Sequence, residues 1–267
     1  MNEEFEVLKR MMIEKLGFFP ERYKKRPLKR RIAVRMRYNR INSYLEYAKL
    51  LERDTKEQRL LHKTLTINVS KFFRNYETFG KIEEVVLPQI LRENERKGGL
   101  IKVWCAGCAT GQESYTIAML LDKFLSERQS SAQFSVIGTD IDNDSLNTAR
   151  IGCYRNEVFD ETPEYFLNMY FKKDEKICVL DKIKEKVKFV RFDIEEENIE
   201  LKELDLVLFR NVLIYMEKTF QEKILSMIYN RLNEKAFLVL GKVEYLVGEA
   251  KSLFNTVDSR ERIYRKC

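Results

Sequence analysis

The residues best suited to chemistry follow one short apolar stretch of this 267-residue chain. Residues 101–104 have the apolar character of a strand, and six small residues, 106–111, come soon after them. From Glu113 onward, apolar residues recur at helical spacing. A glycine-rich loop between a strand and a helix lets a ligand approach the backbone, where helix N–H groups point toward it. This stretch therefore predicts a binding site for a nucleotide-like ligand.

The sequence of this loop excludes some kinds of nucleotide site. Its spacing differs from the GxGxxG of dinucleotide sites, and the absence of a following GKS or GKT rules out a P-loop. Cys105 and Cys108 form a CxxC pair, but a redox or zinc site would need partners, and the sequence has no second CxxC and no histidine pair. We interpret both cysteines as small residues packed beneath the loop, with a redox role left open. His62, the single histidine, lies in a helical segment and is interpreted as structural.

Charged side chains also follow the other predicted strands. Asp140 ends a second apolar run, where doubly wound folds place an acid that bonds ribose hydroxyls. It lies further from the glycine loop than the usual ~20 residues, because a helix and a polar loop intervene. Asp193 ends another strand, and Arg210 follows the nearly continuous apolar run 204–209, which is typical of a buried parallel strand. Since carboxyl ends of parallel strands share one edge, the pattern predicts an α/β fold with its ligand at that edge.

Composition restricts the class of protein. Hydrophobic residues make up 44% of the chain and aromatic residues 12%, which favours a packed core over disorder. No apolar run reaches the ~18 residues of a membrane span, and the charged first ten residues lack a signal-peptide apolar region. Five cysteines, an odd number, do not suggest a disulfide framework. We therefore expect a cytoplasmic protein that does not insert into a membrane.

The first 70 residues predict a small all-helical domain, and residues 71–267 an α/β domain. Apolar residues recur at helical spacing from Phe5 to Leu16, and Ser43 with Glu46 forms a capping box. Residues 76–95 predict a long helix that contains Pro88. Residues 160–190 depart from simple alternation, because 177–180 and 187–190 resemble short strands between charged residues.

The strongest charge feature is a basic segment at residues 22–40. It holds ten Lys and Arg residues and no Asp or Glu, so it carries more than the whole net charge of +7. Leu28, Ile32 and Met36 add an apolar stripe, which predicts a helix docked on one side and basic on the other. An ordinary solvated face stays an alternative, but such faces normally mix signs, and an unneutralised patch favours an anionic partner.

Four separated motifs resemble those of a single enzyme family. Residues 104–115, WCAGCATGQESY, are similar to the first motif of S-adenosylmethionine-dependent methyltransferases, in the form found in CheR-type chemotaxis receptor glutamate O-methyltransferases. NVSKFFR at 68–74, TDID at 139–142 and RNVLIY at 210–215 match further motifs of that family in the same order. The chain departs from the pattern at Gln112 and Ser114, and in having GKVE at 241–244.

This resemblance implies a fold, an activity and a set of partners. The fold would be the class I, Rossmann-like methyltransferase fold, with the N-terminal helical domain and a small antiparallel β insertion at about 160–190. The activity would transfer a methyl group from S-adenosylmethionine to chemoreceptor glutamates, leaving S-adenosylhomocysteine and using no metal. The partner would be the cytoplasmic helical region of methyl-accepting chemotaxis receptors, approached by a monomer, and no nucleic acid.

The resemblance also assigns roles to particular residues. Arg74 and Tyr215 would be catalytic, and both would also contact the cofactor. The remaining cofactor residues would be Asn68, Ser70, Gly107, Glu113, Asp140, Asp193, Ile194, Phe209 and Arg210. We assign receptor binding to basic residues of the 22–40 segment, namely Arg26, Arg30, Arg31, Arg35 and Arg37.

Two rival functions remain to be distinguished from this one. Nucleic-acid methylation would suit the basic segment, but all four prolines are isolated, so the chain has neither an Asn/Asp-Pro-Pro-Tyr motif nor a Pro-Cys pair. A basic helical adaptor on a degenerate nucleotide fold is the non-enzymatic alternative, which cofactor binding would exclude.

Overall fold

A computed structural model describes residues 2–66, 70–194 and 201–267. Its contacts divide the chain into two compact units. The helical unit comprises Met1–Asn68 together with Tyr215–Gln221. The second unit, which we call the catalytic unit after the activity that the resemblance implies, comprises Val69–Ile214 together with Glu222–Cys267. The segment that begins at Tyr215 therefore groups with the helical unit, although it lies far along the chain.

Residues 2–66 of the helical unit form four α-helices: α1 (Asn2–Leu16), α2 (Lys25–Tyr38), α3 (Tyr44–Arg53) and α4 (Thr55–Leu65). The Ser43 hydroxyl begins α3 by accepting from the N–H groups of Leu45 and Glu46, as expected of a capping residue. Asp54 caps α4 in the same way. The predicted helical character of this region is confirmed.

The helical unit has its own apolar core. Phe5, Leu8 and Met12 of α1 are buried in one cluster with the apolar stripe of α2, Leu28, Ile32 and Met36. The prediction that α2 is docked along this stripe is therefore confirmed. Burying each such side chain contributes ~1.5–3 kcal/mol relative to leaving it exposed.

A seven-stranded sheet forms the centre of the catalytic unit, in the order β6-β2-β1-β7-β8-β10-β9. The first five strands in this order pair in parallel, and β10 pairs antiparallel with both of its neighbours. The strands are β1 (Leu100–Ala106), β2 (Gln133–Asp140), β6 (Val187–Arg191), β7 (Leu204–Phe209), β8 (Leu232–Leu240), β9 (Phe254–Asp258) and β10 (Ile263–Lys266). The α/β fold predicted from the sequence is confirmed. The assignment of 187–190 to an antiparallel insertion is wrong, because β6 extends the parallel sheet beside β2.

The helices of the catalytic unit fall between these strands. They are α5 (Tyr76–Lys81), α6 (Leu87–Lys97), α7 (Gln112–Glu127), α8 (Asn143–Ile151), α9 (Glu164–Tyr170), α10 (Asp181–Lys184), α11 (Lys218–Arg231) and α12 (Ala250–Leu253). The first residues of α11 group with the helical unit. The long helix predicted around Pro88 is present, but a π-helical segment, Ile82–Val86, joins α5 to α6. Proline has no N–H to donate back along the helix, so a change of hydrogen-bond pattern just before Pro88 is expected.

A second, three-stranded antiparallel sheet has the order β3-β5-β4, from β3 (Cys153–Tyr154), β4 (Phe171–Lys173) and β5 (Ile177–Val179). The strand predicted at 177–180 is thus confirmed. Cys153 lies opposite Cys178 in the register, and the two form a disulfide. The odd number of cysteines did not suggest a disulfide framework, and this single disulfide forms because antiparallel pairing brings together thiols that are 25 residues apart.

Candidate active site

The glycine loop after β1 has a backbone that side chains would disturb. Gly107 has φ of +67°, and a Cβ there would lie 2.8 Å from a methyl group of Val212. Gly111 has φ of +91°, and its Cβ would lie 2.7 Å from that of Ala149. The two glycines are therefore required by both backbone conformation and close packing. Gly107 is itself exposed at the carboxyl edge of the sheet, so its backbone is accessible to a ligand.

Asp140 ends β2 beside this loop, as predicted. Its Oδ2 accepts from the N–H of Ala109 at 2.8 Å, and its Oδ1 accepts from the N–H of Asp142 at 3.0 Å. Burial raises the pKa of Asp140, and these backbone donors oppose the rise. The half-buried carboxylate is thus held at the edge of the sheet as a fixed acceptor. Asp142 caps α8 by accepting from the N–H of Asp144.

Arg210 is the central cation of the site. It follows β7 and is 5% exposed. One terminal nitrogen donates to Glu113 Oε2 at 2.7 Å, and the other donates to the backbone oxygen of Arg74 at 2.9 Å and to Asn75 Oδ1 at 3.0 Å. Its buried Nε has no hydrogen-bond partner among the residues that the structure describes. Arg210 therefore joins the start of α7 to the segment around Arg74, and it retains a buried donor for a further polar group.

Arg74 lies in a strained segment. The residues on either side, Phe73 and Asn75, have φ of +53° and +62°. Each left-handed residue that is not glycine costs ~1–3 kcal/mol, and such conformations concentrate at functional sites. Phe72 and Phe73 are fully buried, and the N–H of Phe73 donates to the Thr116 hydroxyl at 3.2 Å. The half-buried Arg74 is thus carried by a backbone that core contacts hold in place.

Glu244, which the sequence analysis did not single out, is a buried carboxylate between the loops that follow β7 and β8. It is 2% exposed, and its Oε2 accepts from the N–H groups of Gly241 at 2.7 Å and Asn211 at 2.8 Å. Its Oε1 accepts from the N–H of Ile214 at 3.2 Å. Burial raises the pKa of Glu244, and the backbone donors oppose the rise. The sequence signal was present in the segment 241–244, where the acidic residue of the family motif is retained.

The remaining predicted residues fall into three groups. Phe209, Asp193 and Ile194 follow or end strands of the parallel sheet and lie with Gly107, Asp140 and Arg210 at carboxyl ends of strands. Ser70 is half-buried just before the strained segment, and Asn68 lies outside the described residues. Tyr215 groups with the helical unit, where its backbone oxygen accepts from the N–H of Lys24 at 2.8 Å and its ring lies 4.8 Å from the Arg31 guanidinium.

The CxxC pair is part of the packing under the loop. Cys105 and Cys108 are both buried and free, and burial raises the pKa of each thiol well above its ordinary value. Such thiols are poor nucleophiles because the thiolate is the reactive form. Within residues 2–66, 70–194 and 201–267, no group of three or more His, Cys, Asp or Glu residues is arranged to hold a metal ion.

One of the five arginines of α2 that were predicted to bind the receptor is buried. Arg26, Arg30 and Arg37 are exposed, and Arg31 is half-buried. Arg35 is 9% exposed and pairs with Glu57, its Nε lying 3.0 Å from Oε1. A guanidinium used in this way is not available to a partner, so Arg35 does not belong to the predicted receptor-binding set. None of the helices in the described part of the chain is long and apolar enough to cross a membrane.

Comparison with known proteins settles the family. Residues 68–263 match the sequence profile "CheR methyltransferase, SAM binding domain", and residues 3–66 match "CheR methyltransferase, all-alpha domain". The chain belongs to the CheR methyltransferase family. It is an S-adenosylmethionine-dependent methyltransferase of the chemotaxis system.

Individual relatives agree with this assignment. The "Chemotaxis protein methyltransferase" of Listeria monocytogenes is 28% identical, over 94% of this chain and 93% of the relative. The protein of the same name from Borreliella burgdorferi is 25% identical, over 92% of this chain and 89% of the relative. A 104.1 kDa protein of Rhodobacter capsulatus is 28% identical over 91% of this chain, but the chain spans only 25% of its length.

The residues at the carboxyl edge fit the cofactor of this family. A ribose needs a hydrogen-bond acceptor, and Asp140 is held as one next to the exposed backbone of Gly107. The buried Arg210 Nε is an unused donor in the same group of residues. The edge therefore offers a fixed acceptor that suits a ribose and a donor for a further polar group.

Proposed function

We propose that this enzyme transfers the methyl group of S-adenosylmethionine to glutamate carboxylates in the cytoplasmic helical region of chemoreceptors. The products would be glutamate methyl esters, which adjust receptor output in chemotaxis adaptation, and S-adenosylhomocysteine. The observation that supports this proposal best is at the carboxyl edge of the sheet, where the tightly packed Gly107 loop donates a backbone N–H to the Asp140 carboxylate. Membership of the CheR family supplies the substrate class.

The chemistry requires orientation more than proton transfer. When bound, S-adenosylmethionine supplies an electrophilic methyl group. A glutamate has a pKa of ~4.3 and is already a nucleophile at neutral pH, so no protein base is needed. Asp140 would fix the ribose, and Arg74 would attract and orient the substrate carboxylate. Arg210 would keep the Arg74 segment and Glu113 in position, since it donates to both.

The exposed face of α2 is the proposed receptor contact. Arg26, Arg30 and Arg37 lie on this face with two exposed apolar side chains, Val34 and Tyr38. An acidic helical surface on the receptor would complement the three guanidinium groups, and the apolar pair would add buried area. Such a contact weakens as salt rises, because exposed charges are screened over ~8–10 Å near physiological ionic strength.

Charge reversal tests this contact. We expect the combined change Arg26→Glu, Arg30→Glu and Arg37→Glu to raise the KM for receptor at least tenfold and to leave S-adenosylmethionine affinity unchanged by calorimetry. The matched control reverses three exposed basic residues of α3 and α4, Lys49, Arg53 and Arg59, with the same change in charge. Equal effects of the two triple variants on KM would show that only net charge matters and would remove the docking role from α2.

The substrate itself is tested by labelled methyl transfer into the host's membrane fraction, followed by alkali. Carboxyl methyl esters release labelled methanol in alkali, whereas methylated bases and amines keep the label. Label that survives alkali, together with tight duplex DNA binding by the basic helix, would favour nucleic-acid methylation instead. Absence of S-adenosylmethionine binding would favour the adaptor.

A further inference from the structure

The buried carboxylate of Glu244 is bonded to loop backbone. The hydrogen bonds that fix it come from backbone N–H groups of two separate loops, one after β7 and one after β8. Because the side chain is 2% exposed, water cannot substitute for a lost partner. A buried acceptor or donor left unsatisfied is costly, so the carboxylate and the three N–H groups hold each other in place.

The loop after β8 is built to bring this carboxylate close. Glu244 donates its own N–H to the backbone oxygen of Gly241 at 2.8 Å, which closes a tight turn. A Cβ at Gly241 would lie 2.7 Å from Glu244 Oε2 and 2.8 Å from the backbone nitrogen of Asn211. Only glycine therefore lets the carboxylate and the loop after β7 approach this closely.

The loop after β7 depends on Glu244 because its own backbone is irregular. Asn211 has φ of +64°, a left-handed conformation that needs support from its surroundings. Ile214 lies in a single 3₁₀ turn, Leu213–Tyr215. Glu244 accepts from the N–H groups of Asn211 and Ile214 at once. It thus holds both ends of the segment 211–214.

The residues on either side of this segment are ones to which the resemblance to the family assigns roles at the site. Arg210 immediately precedes it and donates to Glu113, Asn75 and the backbone of Arg74. Tyr215 immediately follows it. We propose that Glu244 is a positioning residue for methyl transfer, which acts through the backbone of 211–214 to set the orientation of Arg210. This inference rests on the proposed function for its kinetic consequence, but its structural part does not.

The test compares two buried glutamates. Glu244→Gln keeps the size of the side chain but turns an NH₂ group toward N–H donors, so one end of the loop is released. The matched control is Glu261→Gln. Glu261 is similarly buried, at 5% exposed, but its partners are side chains: it accepts from the Thr78 hydroxyl at 2.6 Å and pairs with Lys242. We expect Glu244→Gln to lower kcat at least tenfold at saturating cofactor and receptor, well below the melting temperature, and Glu261→Gln to leave kcat within twofold of wild type.

Amide hydrogen exchange supplies the readout that does not need a receptor. The N–H groups of Asn211 and Ile214 should be protected in the wild-type protein and should exchange faster in Glu244→Gln, but not in Glu261→Gln. If the wild type methylates no receptor, the proposed function fails, and the exchange rates still decide whether Glu244 holds this loop. If Glu244→Gln does not fold, Glu244→Asp replaces it: the charge remains, the reach is shorter, and kcat should fall at least threefold.

Three results would overturn the proposal. One is rapid exchange of the Asn211 and Ile214 amides in the wild-type protein. Another is an unchanged kcat in folded Glu244→Gln or, in its place, Glu244→Asp. The last is an equal loss of kcat in the Glu244 and Glu261 variants, which would indicate general destabilisation.

Discussion

The two units each contain a deeply buried glutamate, and they satisfy it in different ways. In the helical unit, Glu57 accepts from Arg35 Nε at 3.0 Å and from the Tyr47 hydroxyl at 2.6 Å, so one ion pair joins three helices. In the catalytic unit, Glu244 accepts from backbone N–H groups of two loops. A pair of side chains between regular elements stabilises a fold, whereas a carboxylate bonded to loop backbone fixes the path of the loop. The first unit therefore uses its buried charge to join helices, and the second uses it to fix the path of a loop.

The surroundings also move the two pKa values in opposite directions. Burial would raise the pKa of Glu57, but the bonds from Arg35 and Tyr47 outweigh it and lower the pKa below its ordinary value. Burial raises the pKa of Glu244, and the backbone donors only reduce the rise. A cationic partner therefore has a larger effect here than neutral N–H groups.

The largest effect is expected from breaking the side-chain pair. Arg35→Ala leaves Glu57 buried without its cation, and loss of one partner of a buried ion pair costs ~3–5 kcal/mol. Denaturant unfolding followed by circular dichroism should show this loss of stability. The double change Arg35→Met and Glu57→Met removes both charges and should recover most of it. If Arg35→Ala lowered the free energy of unfolding by less than ~1 kcal/mol, the pair would contribute no more than an exposed surface ion pair.

An intermediate effect is expected at the ribose acceptor of the catalytic unit. Asp140→Ala removes hydrogen bonds to a charged acceptor, which are worth ~1.5–3 kcal/mol, or roughly ten- to a hundredfold in S-adenosylmethionine affinity. Calorimetric titration measures this directly. Asp144→Ala, which changes an exposed acid at the start of α8, is the control and should bind normally. Unchanged affinity in Asp140→Ala would reject the ribose assignment.

The smallest effect is the pH dependence of stability. Because the pKa of Glu57 is lowered, its contribution is complete above the ordinary value of 4.5 and is lost as the pH falls through the folded-state value. The pKa of Glu244 is raised, so its cost to stability is present above the folded-state value and is relieved as the pH falls toward 4.5.

Unfolding free energies at several pH values check this contrast. The stability difference between wild type and Glu57→Gln should shrink in acid, and that between wild type and Glu244→Gln should grow. If the two stability differences changed with pH in the same direction, the lowered pKa of Glu57 and the raised pKa of Glu244 would be contradicted.

Local patterns in the sequence were enough to predict the main features of the site. Residue types within one short stretch predict the strand, the glycine loop with Gly107 and the helix with Glu113. The structure has these elements in that order. Asp140 ends β2 because an apolar run stops there. The buried stripe of α2, from Leu28 to Met36, follows from helical periodicity alone. Features of this kind are readable because they depend on neighbours within a few turns or one strand.

Long-range partners were decided only by the tertiary structure. Nothing in the 22–40 segment separates Arg35 from its exposed neighbours, since Glu57 reaches it from another helix. Cys153 meets Cys178 only through the register of two antiparallel strands. The role of Glu244 depends on how closely the ends of β7 and β8 approach. Sequence periodicity thus determines which face of an element is buried, and packing decides which distant group satisfies a charge on that face.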